Sequence, residues 1–200
     1  MTKAKLCGIR TEEDIQIVNE LMPEYIGFIF WDKSWRNITK ETATHLKKGL
    51  NNGIQAVGVF VDENVERVAE YLNDGIIDIA QLHGEETDAY IKELRSLAPD
   101  RMIIKAIKVK NPDDIVNAEK CSADMVLLDS GYGSGKSFDW DLIRNIDREY
   151  ILAGGLTPEN VAEAIERFRP YAVDASSSLE TEKRKDRKKM TDFINAVRSI

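Results

Sequence analysis

A few residues of this 200-residue chain pair a reactive side chain with an abrupt local context. Cys7 lies in Lys5-Leu6-Cys7-Gly8 at the end of a short apolar run. A free thiol is only a few per cent thiolate at neutral pH, so work as a base requires a shifted pKa. On position alone, a small cysteine in such a place reads first as inert core. Asp129 ends the run Val126-Leu127-Leu128, where a carboxylate is costly to bury unless it is paired or used. It serves equally well as a cap for the loop that follows. Arg36 offers a planar fork for a carboxylate or phosphate, and in isolation reads equally as an exposed surface arginine. His83, in Gln81-Leu82-His83-Gly84, is a ligand or acid–base candidate, although a lone histidine is more often hydrogen-bonded structure. In Leu152-Ala153-Gly154-Gly155-Leu156, missing side chains let backbone N–H groups come close to a ligand. Ala175-Ser176-Ser177-Ser178 offers N–H and hydroxyl donors of its own.

The elements that must position these residues follow from one alternation. Short β-branched apolar runs are each followed by an amphipathic segment with helix-start signals. The runs are Ala4–Gly8, Tyr25–Phe30, Gln55–Val61, Ile77–Leu82, Met102–Val109, Met125–Asp129, Tyr150–Ala153 and Tyr171–Asp174. Thr11 with acids behind it predicts a capped first helix that Pro23 stops. Further helices are predicted from Thr39, from near Asp62, over Glu85–Leu97, after Asn111-Pro112, after Phe138-Asp139-Trp140, from Thr157-Pro158 with proline at the first helical position, and over Met190–Ile200. Eight strand–helix units in 200 residues leave about 25 residues each. Strands alternating with helices imply right-handed crossovers and a parallel sheet. Eight such units predict an α/β fold, a single-domain (β/α)8 TIM barrel over residues 1–200. A doubly wound open sheet is the competing arrangement. The absence of a G-x-G-x-x-G turn after the first strand and the glycine-rich loops after late strands favour the barrel.

In a barrel the chemistry sits at the C-terminal ends of the strands. That rule selects Cys7, Arg36, Asp62, Gln81, His83, Lys105, Lys108, Asp129, Gly154, Gly155, Asp174 and Ser176–Ser178. Loops after strands seven and eight are a common phosphate site in this architecture, so Gly154-Gly155 and Ser176-Ser177 read as a phosphate cradle.

Composition narrows the partners. A formal net charge of −7 argues against non-specific binding to nucleic acid or anionic membrane. No apolar run reaches the roughly 20 residues of a membrane span. The first residues lack the apolar core of a signal peptide, and Cys7 and Cys121 form no C-x-x-C, so the expected location is a reducing cytoplasm. His45 lies mid-helix and reads as solvated. The basic run Lys183–Lys189 reads as a solvated loop and helix start. No metal constellation stands out, and no metal is expected.

Taken in order, these segments resemble the phosphoribosylanthranilate isomerase family of tryptophan biosynthesis. Lys5-Leu6-Cys7-Gly8 resembles K-[IVL]-C-G, and Gly27-Phe28-Ile29-Phe30 with Ser34-Trp35-Arg36 resembles G-F-x-F…S-x-R. Val57-Gly58-Val59-Phe60 and Gln81-Leu82-His83-Gly84 match V-G-V-F and Q-L-H-G. Asp129-Ser130 with Gly133-Ser134-Gly135 and Phe138-Asp139-Trp140 resembles D-[ST]…G-[ST]-G-x-x-F-D-W. Leu152–Val161 matches L-A-G-G-L-x-P-x-N-V, and Val173-Asp174-Ala175-Ser176-Ser177 resembles V-D-V-S-S. Tyr132, Trp35, Ser178-Leu179-Glu180 and Lys183 depart from the family pattern.

The resemblance implies an Amadori rearrangement of N-(5-phosphoribosyl)anthranilate, with Asp129 as general acid and Cys7, as thiolate, as base. Arg36 would hold the anthranilate carboxylate, and Gly155, Ser176 and Ser177 the phosphate. With His83, Gly154 and Asp174 these complete the expected substrate-binding set. No cofactor is needed. The expected partner is a small phosphosugar substrate, on a monomer or homodimer. Among other phosphate-binding barrels, a ribulose-phosphate epimerase wants a His/Asp metal site. An indole-glycerol-phosphate synthase wants catalytic lysines, for which Lys105 and Lys108 are available without a matching motif. A non-catalytic phosphate-binding barrel would show affinity without turnover.

Overall fold

Eight parallel strands close on one another in chain order, in a computed structural model that describes residues 1–129, 143 and 146–200. They are β1 (Lys3–Cys7), β2 (Tyr25–Ile29), β3 (Gln55–Phe60), β4 (Ile79–Leu82), β5 (Met102–Lys108), β6 (Met125–Asp129), β7 (Tyr150–Ala153) and β8 (Ala172–Ala175). β1 pairs with β2 on one side and β8 on the other, which seals the barrel. The helices are α1 (Glu12–Leu21), α2 (Lys40–Lys48), α3 (Val65–Asn73), α4 (Asp88–Leu97), α5 (Pro112–Lys120), α6 (Val161–Phe168) and α7 (Arg187–Arg198). After β8, β9 (Glu180–Thr181) and β10 (Arg184–Lys185) form a small antiparallel hairpin. Among the described residues no helix is long and apolar enough to cross a membrane.

The two-residue period of a strand assigns every side chain to one of two cores. Val57, Ile79, Ile104, Leu127 and Ile151 fill the barrel interior. Leu6, Ile26, Phe28, Ile103, Val126, Leu128, Leu152 and Val173 point outward into the layer under the helices. Lys5 and Cys7 alternate with Leu6, and Asp129 stands two residues beyond Leu127, so the same parity turns them into the barrel. At the opposite end the barrel is closed by Lys3, whose Nζ donates to the Tyr171 hydroxyl at 2.5 Å, with the Tyr25 hydroxyl 3.2 Å from that of Tyr171. Burial, with the Tyr171 contact, pushes the Tyr25 phenol up to about 12.

Most helix starts follow local chemistry. Thr11 and Asp14 form a reciprocal capping box on α1, and Asn111 and Asp114 form one on α5, with Pro112 in its first turn. Four starts differ from the sequence expectation. Pro158 is not in the first turn of α6; it belongs to the turn before Asn160, whose Oδ1 accepts from the Thr157 N–H at 2.8 Å. α3 begins at Val65 rather than near Asp62, under an Asn64 cap. α4 begins at Asp88 rather than Glu85, because Glu86 is drawn into the preceding loop and Thr87 caps the helix. α7 begins at Arg187 rather than Met190, because Asp186 caps it through the Lys189 N–H. The predicted loop over residues 130–137, the departure at Tyr132 and the start of the predicted helix after Trp140 lie outside the described residues.

Candidate active site

A cavity of about 220 Å³ opens where the strands end. Cys7, Arg36, His83, Asp129, Gly154, Gly155, Asp174, Ser176 and Ser177, which come from six different strand ends and loops, all line it. Gln81 lines it too. Ser178 lines it as well, and the remaining strand-end candidates are employed elsewhere. Asp62 accepts the Glu85 N–H through Oδ1 at 2.6 Å and braces the loop after β4. Lys108 is exposed and lines a neighbouring cavity. Lys105 has the outward parity, and its ammonium meets the carbonyls of Leu82, Gly84 and Ala106 and the carboxylate of Glu86 at 2.7–3.4 Å. It fastens the loop that carries His83 and does not reach the site.

Cys7 is buried, 6% exposed, and faces Gly27 across the β1–β2 register. A Cβ at Gly27 would stand 2.6 Å from Cys7 Sγ, so this neighbour has to be glycine for the sulfur to sit where it does. Two residues earlier on β1, fully buried Lys5 ion-pairs with Asp174 at 2.9 Å, its partner in the β1–β8 register. Burial works against the Lys5 ammonium, but the charges of Asp174 and Cys7 and the hydrogen bond to Asp174 outweigh it and hold Lys5 above the usual lysine range. Burial pushes Asp174 up in spite of Lys5. The Cys7 thiol is also pushed up by burial, against the pull of the Lys5 charge. Among the described residues, Asp174 Oδ1 and Gln81 Oε1 are buried without a hydrogen-bond partner, two acceptors at the wall of the cavity.

Opposite Cys7, a short chain of contacts orients Asp129. The Gln81 amide nitrogen lies 3.1 Å from His83 Nδ1, and His83 Nε2 lies 3.3 Å from Asp129 Oδ2. With Gln81 donating, Nδ1 is the acceptor, so the neutral ring carries its proton on Nε2 and presents it to Asp129. Gln81 and His83 share the loop-side end of β4, which is why a Q-x-H spacing can build this pair.

Arg36 uses its fork on a protein carboxylate: Nε and Nη2 donate to the two oxygens of Glu180 at 2.8 and 2.7 Å. The Lys185 ammonium also donates to Glu180, at 2.8 Å, and to the Ser176 carbonyl at 3.0 Å. Burial opposes the Glu180 charge, but the hydrogen bonds from Arg36 and Lys185 prevail and hold its carboxyl below the usual range. The expectation that Lys183–Lys189 is solvated therefore fails at Lys185, whose side chain is 2% exposed; the β9–β10 hairpin folds it back over the barrel mouth. Sequence reasoning also missed Glu180 and Lys5. The signal for Lys5 was its parity with Cys7 in an otherwise apolar strand, and no comparable local signal marks Glu180.

Gly154 and Gly155 take φ of 87° and 69°, left-handed values that glycine adopts without strain. The loops after β7 and β8 are tied together by Ser178 Oγ, which donates to the Leu156 carbonyl at 2.5 Å. Ser176 Oγ donates to the Cys7 carbonyl at 3.1 Å and joins that loop to β1. Among the described residues no group of His, Cys, Asp and Glu is arranged to hold a metal ion.

The whole arrangement has close counterparts. The family profile of N-(5'phosphoribosyl)anthranilate (PRA) isomerase matches residues 4–196. The chain is 41% identical over 207 residues to the N-(5'-phosphoribosyl)anthranilate isomerase of Caldanaerobacter subterraneus subsp. tengcongensis, with all of both chains covered. It is similar to the crystal structure of phosphoribosyl anthranilate isomerase from Thermotoga maritima, with a TM-score of 0.91, 36% identity and complete coverage of both chains. A crystal structure of a phosphoribosyl anthranilate isomerase in complex with reduced 1-(o-carboxyphenylamino)-1-deoxyribulose 5-phosphate matches with a TM-score of 0.89 and 34% identity, again over the whole of both chains.

Proposed function

The chain belongs to the N-(5'-phosphoribosyl)anthranilate isomerase family, and from that premise we propose how its cavity isomerises N-(5'-phosphoribosyl)anthranilate to 1-(2-carboxyphenylamino)-1-deoxyribulose 5-phosphate, a reaction of tryptophan biosynthesis. The observation that carries the proposal is the pairing of Cys7 on β1 with Asp129 on β6 in one cavity bordered by the Gly154-Gly155 and Ser176-Ser177 loops. An acid and a base from different strands can address different atoms of a ligand held between them.

In this reading Asp129 delivers a proton to the furanose ring oxygen. The C1′–O bond breaks and the anilino nitrogen's lone pair forms the iminium. Cys7, as thiolate, takes the C2′ proton; the C–H electron pair becomes the C1′=C2′ bond and the iminium electrons return to nitrogen. The resulting enolamine gains a proton at C1′ and loses one from the 2′-hydroxyl, which leaves the ketone, so atoms and charge balance. His83 orients Asp129 through the 3.3 Å contact. Asp174 Oδ1 and Gln81 Oε1, without a partner among the described residues, accept from the sugar hydroxyls. The substrate carboxylate takes the Arg36 donors that Glu180 does not use, and the phosphate takes Gly154, Gly155, Ser176 and Ser177. Each acid–base group is worth roughly 10²–10⁴-fold in rate. The test is the loss of fluorescence of freshly made phosphoribosylanthranilate on adding the protein. Turnover by the wild type, with losses of that size in Cys7→Ser and Asp129→Asn, is expected; no turnover would overturn the function, and unaffected variants would overturn the roles.

A further inference from the structure

The base assigned to Cys7 sits in surroundings that, by burial alone, favour the neutral thiol. Two buried cations stand against that. Lys5 precedes Cys7 by two residues on β1 and shares its inward parity; it is fully buried, and its charge favours the Cys7 thiolate. Lys185 arrives from the β9–β10 hairpin. Its Nζ would lie 3.4 Å from a Cβ placed on Gly8, the residue after Cys7, and it holds the carbonyl of Ser176, whose hydroxyl in turn holds the carbonyl of Cys7. We propose that Lys5 and Lys185 are positioning residues that make the Cys7 thiolate more accessible than burial alone would allow, one from within the barrel and one from the hairpin over its mouth.

Resting on the role of Cys7 proposed above, the inference adds two groups to the reaction and gives the hairpin a chemical purpose. Neither lysine need touch the substrate. Each acts through its charge on a sulfur in a low-dielectric wall, where an ammonium is felt far more strongly than in water. The opposing charges are also identifiable. Asp174 on β8 neutralises Lys5 and works directly against the thiolate. Glu180 on β9 shares itself between Lys185 and Arg36. Across the cavity, Asp129 on β6 and His83 just after β4 form their own pair. The arrangement therefore makes a signed prediction: loss of either lysine must disfavour the thiolate, and loss of the Asp174 charge must favour it.

The experiment titrates Cys7 without substrate, in a Cys121→Ser background so that one thiol is observed. Thiolate ultraviolet absorbance and the rate of iodoacetamide alkylation are followed against pH in the parent and in Lys5→Met, Lys5→Arg, Lys185→Met and Asp174→Asn. Lys5→Met and Lys185→Met are expected to move the titration to higher pH and to slow alkylation at neutral pH about tenfold for each unit moved. Lys5→Arg should stay near the parent, and Asp174→Asn should move to lower pH and alkylate faster. An unmoved titration in folded Lys185→Met and Asp174→Asn overturns the proposal, even if Lys5→Met fails to fold. In the wild type, turnover with a lysine-independent thiol would refute this inference alone, whereas a lysine-dependent thiol without turnover would refute only the isomerase reading.

Discussion

Gly27 gives the sharpest test of whether the position of the Cys7 sulfur matters. In Gly27→Ala the new methyl group would lie 2.6 Å from Cys7 Sγ, 3.1 Å from its Cα and 3.2 Å from its Cβ. An ordinary contact begins near 3.4 Å, so the sulfur must retreat by about 0.8 Å or the strands must part. Parting is opposed by the β1–β2 ladder, in which the N–H groups of Gly8 and Ile9 both donate to the Gly27 carbonyl, at 2.9 and 3.0 Å. The sulfur is the softer element and takes most of the displacement. Overpacking of this kind costs about 1–3 kcal/mol, which for a chain of this size lowers Tm by roughly 2–12 °C. A reacting atom misplaced by nearly an ångström costs about a hundredfold in rate. Thermal unfolding followed by circular dichroism and the fluorescence assay for kcat/KM measure the two effects on one preparation. Gly49→Ala is the control: its methyl group meets Ile15 and Leu46 at 3.5 Å, away from the cavity, and should leave kcat/KM unchanged. A folded Gly27→Ala protein with kcat/KM within about twofold of wild type would refute the claim that catalysis depends on where this sulfur sits.

Arg36→Lys removes the fork that Nε and Nη2 place on Glu180 and with it the fixed aim of the remaining donors at the substrate carboxylate; a lost charge-assisted bond of about 1.5–3 kcal/mol should raise KM about tenfold or more with a smaller change in kcat, measured by steady-state kinetics. Lys105→Met leaves Glu86 as a buried, unpaired charge and should cost about 3–5 kcal/mol in urea unfolding, because the loop bearing His83 loses its fastening. Glu180 is held below the usual carboxyl range, so the stability it contributes is complete above the unfolded-state value and is lost as pH falls through the lower folded-state value. The stability gap between wild type and Glu180→Gln should therefore shrink on acidification, as measured by urea unfolding at a series of pH values.

The barrel was readable because its strands and helices carry different periods, and eight repetitions of that contrast leave little choice of topology. The residues lining the cavity were readable for a related reason: once the strand ends are known, barrel geometry sends them to one place. Parity could have gone further. Lys105 lies between Ile104 and Ala106, both inward, so it must face outward and could have been set aside at once. Lys185 and Glu180 were not readable, because a basic run looks solvated by composition. What buries Lys185 is a two-residue strand pairing and a carboxylate contributed by the same hairpin. Such contacts are decided by tertiary placement, and no short-range period announces them.

The two buried lysines on the barrel wall show how structural and chemical polarity differ. The three donors of Lys105 meet three carbonyls and one carboxylate, so it is fully employed in holding a loop. Lys5 is employed by Asp174, while one oxygen of Asp174 has no hydrogen-bond partner among the described residues. An apolar pair at positions 5 and 174 would suit an interior otherwise built from Val57, Ile79, Leu127 and Ile151. Replacing buried ion pairs by packed apolar side chains is often neutral or stabilising by about 1–4 kcal/mol. The double variant Lys5→Met/Asp174→Leu should accordingly unfold at equal or higher urea concentration and yet turn over substrate far more slowly than wild type. If it were instead strongly destabilised, the pair would be part of the scaffold. If it were stable and fully active, the polar floor of the cavity would have no part in the chemistry.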